Sequence, residues 1–307
     1  MITTHATRGL VWLDLESPTD EEIGGLVQRY GLHPLVGEEL RRFPSLPKIQ
    51  SYKDYVVVVL NIPVRTKQNG VYKIIDQEID FVIGKTFLLT SRSETIEQLE
   101  YFSKIFEANA ILNRGEKIEH AGHLFYYMVK RMYAGMFADL QNIRDTLLDA
   151  ENHVFNGEER SMVMVLSNVS RELIDFRQAA RIHQDVWEEM LVHADKNFFS
   201  PDFFEFIRDL RDQFNRIHEL VVNSRELLAD LRETNDSLLN TKQNDIMRTL
   251  TIVTFIFYPA SFIASLFTIP AAVVPLVGTE LGWVMILVGI VVITGGILWF
   301  IRRKGWI

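Results

Sequence analysis

The sequence predicts an α+β membrane protein with an amino-terminal mixed α/β domain, a long helical stalk and two carboxyl-terminal transmembrane helices. Three observations predict this class. Strand and helix patterns alternate before about residue 100, and only helix patterns follow. No proline or glycine interrupts the chain from Asp202 to Tyr258. Residues 249–301 contain one ionisable side chain, Glu280, so the chain divides into a charged body and an apolar end.

Short patterns of both types predict the amino-terminal domain. LVWLDLE (10–16) and YVVVVLNIPV (55–64) have the composition of strands, and SPTDEEIGGLVQRYG (17–31) has a helix start, with Ser17 as its cap and Pro18 in its first turn. QNG at 68–70 predicts a hairpin turn, and Gly84-Lys85 joins the two strands that follow.

Amphipathic helix patterns occupy residues 119–155 and 158–193, and a third helix begins near Pro201. The third helix continues into the membrane over roughly 85 Å, at 1.5 Å per residue. A helix of that length needs support from copies of itself or from the other two helices.

Two membrane crossings fit the apolar end, because a helix needs roughly 20 apolar residues to cross a hydrocarbon core of ~30 Å. Arg248 precedes the first crossing, basic residues follow the second, and the connection between them has no Lys or Arg. The positive-inside rule therefore places both termini in the cytoplasm. The predicted segments are a cytoplasmic α/β domain (1–100), antiparallel cytoplasmic helices (101–200), a stalk helix that becomes the first transmembrane helix (201–269), an outer loop (270–281), a second transmembrane helix (282–301) and a basic cytoplasmic tail (302–307).

Polar side chains form a stripe along the first transmembrane helix. Its members, at alternating steps of three and four, are Thr251, Thr254, Tyr258, Ser261, Ser265 and Thr268, and it extends back to Met247 and Asn244. This period places them on one face, which meets either a neighbouring helix or water, since small hydroxyl residues also let membrane helices pack closely. Tyr258 is too large for a small-residue seam. Two helices cannot enclose water, so a water path requires several copies of the chain.

Composition and motifs exclude several function classes. The net charge of -8 argues against a nucleic-acid partner, and the absence of cysteine excludes disulfides, thiolate metal sites and a thiol nucleophile. Ser17 and Ser45 have no nucleophile elbow. His120 and His123 are spaced as a metal pair would be, but no third ligand stands at a fixed spacing from them. We therefore predict neither an enzyme nor an organic cofactor.

Two acidic clusters leave alternatives open. Asp76, Glu78 and Asp80 lie in DQEID, and Asp209 and Asp212 lie in RDLRDQ. Such clusters are usually solvated faces. Hard cations such as Mg²⁺ also bind through one or two carboxylates while keeping their waters, so an acidic pair shared between subunits is the alternative.

Several stretches resemble the CorA family of magnesium and cobalt transport proteins. These are WLDLESPTDEEI, YGLHPL, LPKIQSYKDYVVVVL, NDIMRTLTIVTFIFYPASFIASLF and the terminal RRKGWI. The resemblance covers nearly the whole length. It implies a funnel-shaped homopentamer in the bacterial cytoplasmic membrane, with the first transmembrane helix lining a pore. The expected partners are further copies of the chain, the lipid bilayer and divalent cations, and the resemblance favours water on the hydroxyl face.

The resemblance also assigns roles to individual residues. The matches to family pore positions are Asn244, Met247, Leu250, Tyr258 and Ser261. Glu233 matches an acidic stalk position that faces the axis. Asp209 matches a stalk carboxylate that shares a regulatory divalent ion with an acid of the neighbouring α/β domain, for which the candidates are Asp76, Glu78 and Asp80. The matches to a basic collar around the cytoplasmic side of the pore are Arg302, Arg303 and Lys304, although Gly305 shortens the basic run.

The chain departs from the family at the end of the first transmembrane helix. Family members have Tyr-Gly-Met-Asn there, and a zinc-transporting branch has Gly-Val-Asn, whereas this chain has Phe267-Thr268-Ile269-Pro270. Proline has no side-chain acceptor to replace the asparagine amide, which leaves Thr268 and Glu280 as polar residues of the outer mouth.

This departure affects the predicted function more than the predicted fold. We predict a pentameric channel or transporter for Mg²⁺ or another divalent ion such as Co²⁺, Ni²⁺ or Zn²⁺, with altered or lost Mg²⁺ selectivity. The alternative is a non-conducting, membrane-anchored scaffold or sensor of the same fold. An efflux carrier of the zinc-branch type is a third hypothesis, with less support because no metal-ligating motif accompanies the two histidines.

Overall fold

The amino-terminal strands form one mixed sheet in the structure, a computed structural model that describes residues 1–7, 9–41, 47–112, 120–193, 203–266 and 280–304. The strands are β1 (Ile2–Thr7), β2 (Leu10–Glu16), β3 (Lys48–Ser51), β4 (Tyr55–Gln68), β5 (Val71–Gly84) and β6 (Phe87–Arg92). Their order is β1-β2-β6-β5-β4-β3, with β2 parallel to β6 and every other pair antiparallel. The chain falls into two units, Met1–Arg232 and Glu233–Ile307.

The hairpin between β4 and β5 turns where the sequence predicts. Asn69 and Gly70 both have positive φ, 51° and 83°. A two-residue turn of this kind matches the right-handed twist of the strands and fixes their register. Pro63 consequently pairs with Asp76, Asn61 with Glu78 and Val59 with Asp80.

The predicted start of the first helix is wrong by two residues. Helix α1 covers Asp20–Tyr30, and its cap is Thr19 rather than Ser17. The Glu22 amide donates to Thr19 Oγ1, and the Thr19 amide donates to a Glu22 carboxylate oxygen, which makes a capping box. Pro18 therefore precedes the cap. Ser17 has φ 45° and donates its hydroxyl to the Ser93 carbonyl, so it joins the helix start to the end of the sheet.

The remaining helices of the amino-terminal unit are α2 (Pro34–Glu39), α3 (Glu97–Leu112), α4 (Ala121–Phe155), α5 (Glu159–Ala180) and α6 (His183–His193). The single helix predicted over 158–193 is thus two helices, because His183 starts a new one. Its Nε2 lies 2.8 Å from the Asn61 carbonyl on β4, and its Nδ1 lies 2.9 Å from the Tyr133 hydroxyl on α4. Burial lowers the pKa of His183 to about 4, so the ring is neutral and Nε2 donates to the carbonyl.

Helix α7 runs without a break from Phe203 to Leu266, as predicted, and continues through Pro259. Its first part contributes to the core of the amino-terminal unit through Ile207, Leu210 and Phe214. Helix α8 covers Glu280–Arg303. Both α7 and α8 contain stretches long and apolar enough to cross a membrane. The described part of the chain therefore has the predicted elements: an amino-terminal sheet with helices, a long helix and two apolar segments.

Candidate functional site: the polar face of the long helix and the acidic residues

The predicted hydroxyl stripe lies within α7 and is accessible in the single chain. The described members of the stripe are all exposed: Asn244, Met247, Thr251, Thr254, Tyr258, Ser261 and Ser265. Leu250, which matches a family pore position, is exposed as well. Exposure alone does not distinguish them, since apolar side chains such as Phe257 are also exposed. The stripe residues are distinguished by their position around the helix.

The shielded side of α7 is the side opposite the stripe. In residues 251–265 the less exposed positions are Ile252, Ile256, Pro259, Ala260 and Ile263. At roughly 100° per residue their mean direction lies about 160° from that of the stripe. Helix α8 has a comparable shielded row that includes Gly282, Ile286, Ile297 and Ile301. The described members of the hydroxyl stripe therefore lie on the more exposed side of α7.

The two described threonine hydroxyls of the stripe donate within the helix. Thr251 donates to the Met247 carbonyl at 2.8 Å, and Thr254 donates to the Leu250 carbonyl at 2.9 Å. A hydroxyl that donates to its own helix keeps the lone pairs of its oxygen for an outside donor. The face therefore presents acceptors, which suits the outward-pointing hydrogens of a hydrated cation.

Both ends of the predicted pore lie partly outside the described residues. Thr268, Ile269 and Pro270 fall outside them. Glu280 is the first residue of α8, and its side chain is likewise not described. At the other end Arg302 and Arg303 close α8 and Lys304 follows it, all three exposed. The Arg303 guanidinium lies over the Trp299 ring, 5.3 Å from its centroid.

Asp209 already has three polar partners in its own chain. The Tyr126 hydroxyl donates to Asp209 Oδ2 at 2.6 Å, Lys130 Nζ lies 3.3 Å from the same oxygen, and the Gln213 amide also donates to it. Partial burial raises the pKa of Asp209, but the Tyr126 hydrogen bond and the Lys130 charge outweigh it, so the pKa lies below its ordinary value. The carboxylate is ionised and half-exposed, with Lys130 as a competing cation.

The three carboxylates of β5 differ from one another. Asp76 is exposed and accepts a hydrogen bond from the Asn61 amide at 2.8 Å. Glu78 and Asp80 are 6% and 2% exposed, so the interpretation of this cluster as a solvated face is wrong for both. Burial raises the pKa of Asp80 well above its ordinary value. The negative charges of Glu78 and Glu39 raise this pKa further, and the positive charge of Lys48 lowers it by less. The protonated form of Asp80 is therefore favoured more than that of an exposed aspartate.

The structure does not join Asp209 to the β5 acids within one chain. Among the described residues the hydrogen-bond partners of Asp209 are Tyr126, Lys130 and Gln213. The exposed Glu233 lies on the same helix, more than six turns further on. In the described ranges no group of three or more His, Asp or Glu side chains is placed to hold a metal ion.

The histidine pair has structural partners. His120 caps α4 by accepting from the Gly122 amide at 2.9 Å, and the His123 ring contacts the Phe206 ring with centroids 5.1 Å apart.

Sequence reasoning missed Lys130 beside Asp209. The signal was the spacing of Tyr126 and Lys130, which places both side chains on one face of α4. Sequence reasoning also missed Lys48, whose Nζ lies 2.6 Å from Glu39 Oε1.

A family model described as CorA-like Mg²⁺ transporter protein matches residues 7–303. The chain belongs to the CorA family. A relative named as the cobalt/magnesium transport protein CorA of Thermotoga maritima is 22% identical, over 99% of this chain and 88% of that protein. The resemblance seen in the sequence is thereby confirmed.

Solved structures agree with the fold. The complete structure of the CorA magnesium transporter from Methanocaldococcus jannaschii matches with a TM-score of 0.82 and 21% identity, over 99% of this chain and 94% of that one. The full-length CmaX protein matches with a TM-score of 0.75 and 19% identity, over 97% and 89%. The α+β class, with a long helix and a second apolar helix, is that of full-length CorA.

Proposed function

We propose that the chain forms a homopentameric channel or transporter for divalent cations in the bacterial cytoplasmic membrane, with both termini in the cytoplasm and with altered or lost Mg²⁺ selectivity. Family membership and the names of the relatives support divalent-cation transport. The observation that carries the proposal is the position of the hydroxyl face of α7, opposite the face that is shielded within its own chain.

The uncovered face requires partners that the single chain lacks. A polar face with acceptor oxygens is costly against lipid, and one α7 with one α8 cannot enclose water. Copies arranged around an axis solve both problems, since each α7 turns its hydroxyl face inward and its opposite face toward its own α8. Thr251, Thr254, Tyr258, Ser261 and Ser265 then line the path of a hydrated ion, with Asn244, Met247 and Leu250 toward the cytoplasm.

Charged residues take secondary roles in this proposal. Arg302, Arg303 and Lys304 form the collar, and Glu280 and Thr268 belong to the outer mouth. Asp209 has its second carboxylate oxygen left to share a regulatory ion with a neighbouring subunit, provided that Lys130 moves away. Of the β5 candidates, the exposed Asp76 fits such a contact between subunits, whereas the buried Asp80 and Glu78 do not.

A second candidate function is a non-conducting scaffold or sensor of the same fold. The replacement of the family asparagine by Pro270 favours it, because that position then offers no side-chain oxygen to an arriving ion. Both candidates require the same assembly and differ only in ion flux.

The first test is the mass of the assembly. We expect the purified protein in detergent to have five times the chain mass of 35.6 kDa, after correction for bound detergent. The physical reason is the polar face of α7, which needs copies of itself to exclude lipid. Light scattering combined with size exclusion, or native mass spectrometry, measures this directly. A protein that remains monomeric in several mild detergents would contradict both the channel and the scaffold.

A further inference from the structure

A cavity of about 490 Å³ lies within the unit Met1–Arg232, beside the break between α5 and α6. Arg177 and Arg181 at the end of α5 line it, as do Arg225 of α7, Asn61 of β4 and Asp76 of β5. Its volume is in the range of small-molecule sites, ~300–1,000 Å³. None of these five residues lines the proposed pore, and only Asp76 has a role in the proposed function, as a candidate for the regulatory ion.

The cavity carries more positive charge than its own carboxylate neutralises. Three arginine residues line it against one acidic residue, Asp76, which accepts a hydrogen bond from Asn61. Within the described residues no hydrogen bond or ion pair involves the guanidinium of Arg177, Arg181 or Arg225. All three residues are exposed, whereas the buried side chains of Arg65 and Arg92 each pair with a carboxylate.

Helix electrostatics explain only part of this arrangement. Basic side chains near a helix carboxyl end are favourable, which accounts for Arg177 in the last turn of α5 and for Arg181 as its cap residue. Arg225 lies in the middle of α7 and has no such reason to line the cavity. Asn61 adds a second signal, because its Oδ1 is buried without a hydrogen-bond partner among the described residues. A ligand O–H or N–H would satisfy that oxygen.

We propose that this cavity binds a small molecule that carries a diphosphate group, with Arg177, Arg181 and Arg225 as its ligands. Guanidinium groups bind phosphate oxygens through paired hydrogen bonds, and three of them match the charge of a diphosphate. The source of the group is a free pyrophosphate or a nucleoside diphosphate, whose ribose hydroxyls would also reach Asn61.

Titration calorimetry on the full-length protein in detergent and Mg²⁺-free buffer tests the proposal. We expect pyrophosphate to bind once per chain, and the double variant Arg177→Gln/Arg225→Gln to weaken binding about tenfold or more, since charge-assisted hydrogen bonds are lost. The matched control is Arg171→Gln/Arg216→Gln, which removes two exposed arginines from the same two helices outside the cavity lining. Equal thermal unfolding midpoints establish that both double variants are folded.

Three outcomes would overturn the proposal: no pyrophosphate binding to the unmodified protein, equal weakening in both double variants, or citrate binding as tightly as pyrophosphate with the same loss. A parallel titration with ADP identifies the source. Tighter binding of ADP than of pyrophosphate supports a nucleotide, and the reverse supports free diphosphate. Because binding is measured without ion transport, its failure is distinguishable from a failure of the proposed channel.

Discussion

The unmodified chain is expected to restore growth of a magnesium-uptake-deficient bacterium poorly or not at all at low external Mg²⁺. Replacing Thr268, Ile269 and Pro270 by Gly, Met and Asn should improve that growth. Mg²⁺ gives up its water reluctantly and is recognised through its hydration shell by well-placed oxygen acceptors. In the proposed assembly the outer mouth would offer Thr268 hydroxyls and a ring of Glu280. A carboxylate ring concentrates cations while discriminating poorly among ions of similar size and charge.

A matched triple variant isolates the amide oxygen. With Gly, Met and Ala at the same three positions the proline is removed but no acceptor is added, so growth should stay near that of the unmodified chain. If the Gly-Met-Asn variant also fails while it is present in the membrane in equal amount, the pore is closed and the scaffold is the better account. Full rescue by the unmodified chain would show that the missing motif does not control Mg²⁺ uptake.

The largest effect on stability is expected from Glu172→Ala. Arg65 Nε donates to Glu172 Oε2 at 2.7 Å, and the two side chains are 7% and 5% exposed. This pair joins β4 to α5. Removing one partner leaves an uncompensated buried charge, which typically costs about 3–5 kcal/mol. Denaturant or thermal unfolding of the full-length protein, followed by the circular dichroism signal, measures the change.

Two further variants show whether the cost comes from the unpaired charge. Asp175→Ala, on the same helix but exposed, should change stability little. Arg65→Met combined with Glu172→Ala should recover much of the loss, because a buried ion pair replaced by apolar groups is often neutral or stabilising. A Glu172→Ala protein no less stable than the Asp175→Ala protein would contradict the assignment.

Strong local sequence patterns predicted the central strands of the sheet. The edge strands have only weak patterns and were not predicted. The valine run of β4 and the Asn69-Gly70 turn have few alternatives, because composition and φ preference agree there. Strands β1 and β3 lie at the two edges of the sheet, where few residues need be apolar, so ITTHAT and KIQS gave no signal. The break before α6 depends on bonds from His183 to Asn61 and Tyr133, which are distant in sequence.

In the candidate site, too, local patterns could be predicted and contacts between distant residues could not. The hydroxyl face could be predicted because helical spacing alone places its members together. The sequence could not show that this face lies opposite the less exposed one, since exposure depends on the tertiary structure. The burial of Asp80 and the pairing of Asp209 with Lys130 also depend on contacts between separate elements. Charge patterns therefore identified the acidic residues but not their surroundings.

Cysteine accessibility during ion flux tests the central claim that the hydroxyl face of α7 lines a water-filled path. The chain has no cysteine, so a single introduced thiol is the only target. Thr254→Cys and Ile256→Cys lie at nearly the same depth on opposite faces of the helix. Each protein is reconstituted in liposomes, and uptake of Co²⁺ and Mg²⁺ is recorded before and after a membrane-impermeant methanethiosulfonate reagent. We predict divalent-cation uptake by both, with block of Thr254→Cys and little change in Ile256→Cys. Absence of uptake of both ions, or block of Ile256→Cys with Thr254→Cys unaffected, would contradict the account.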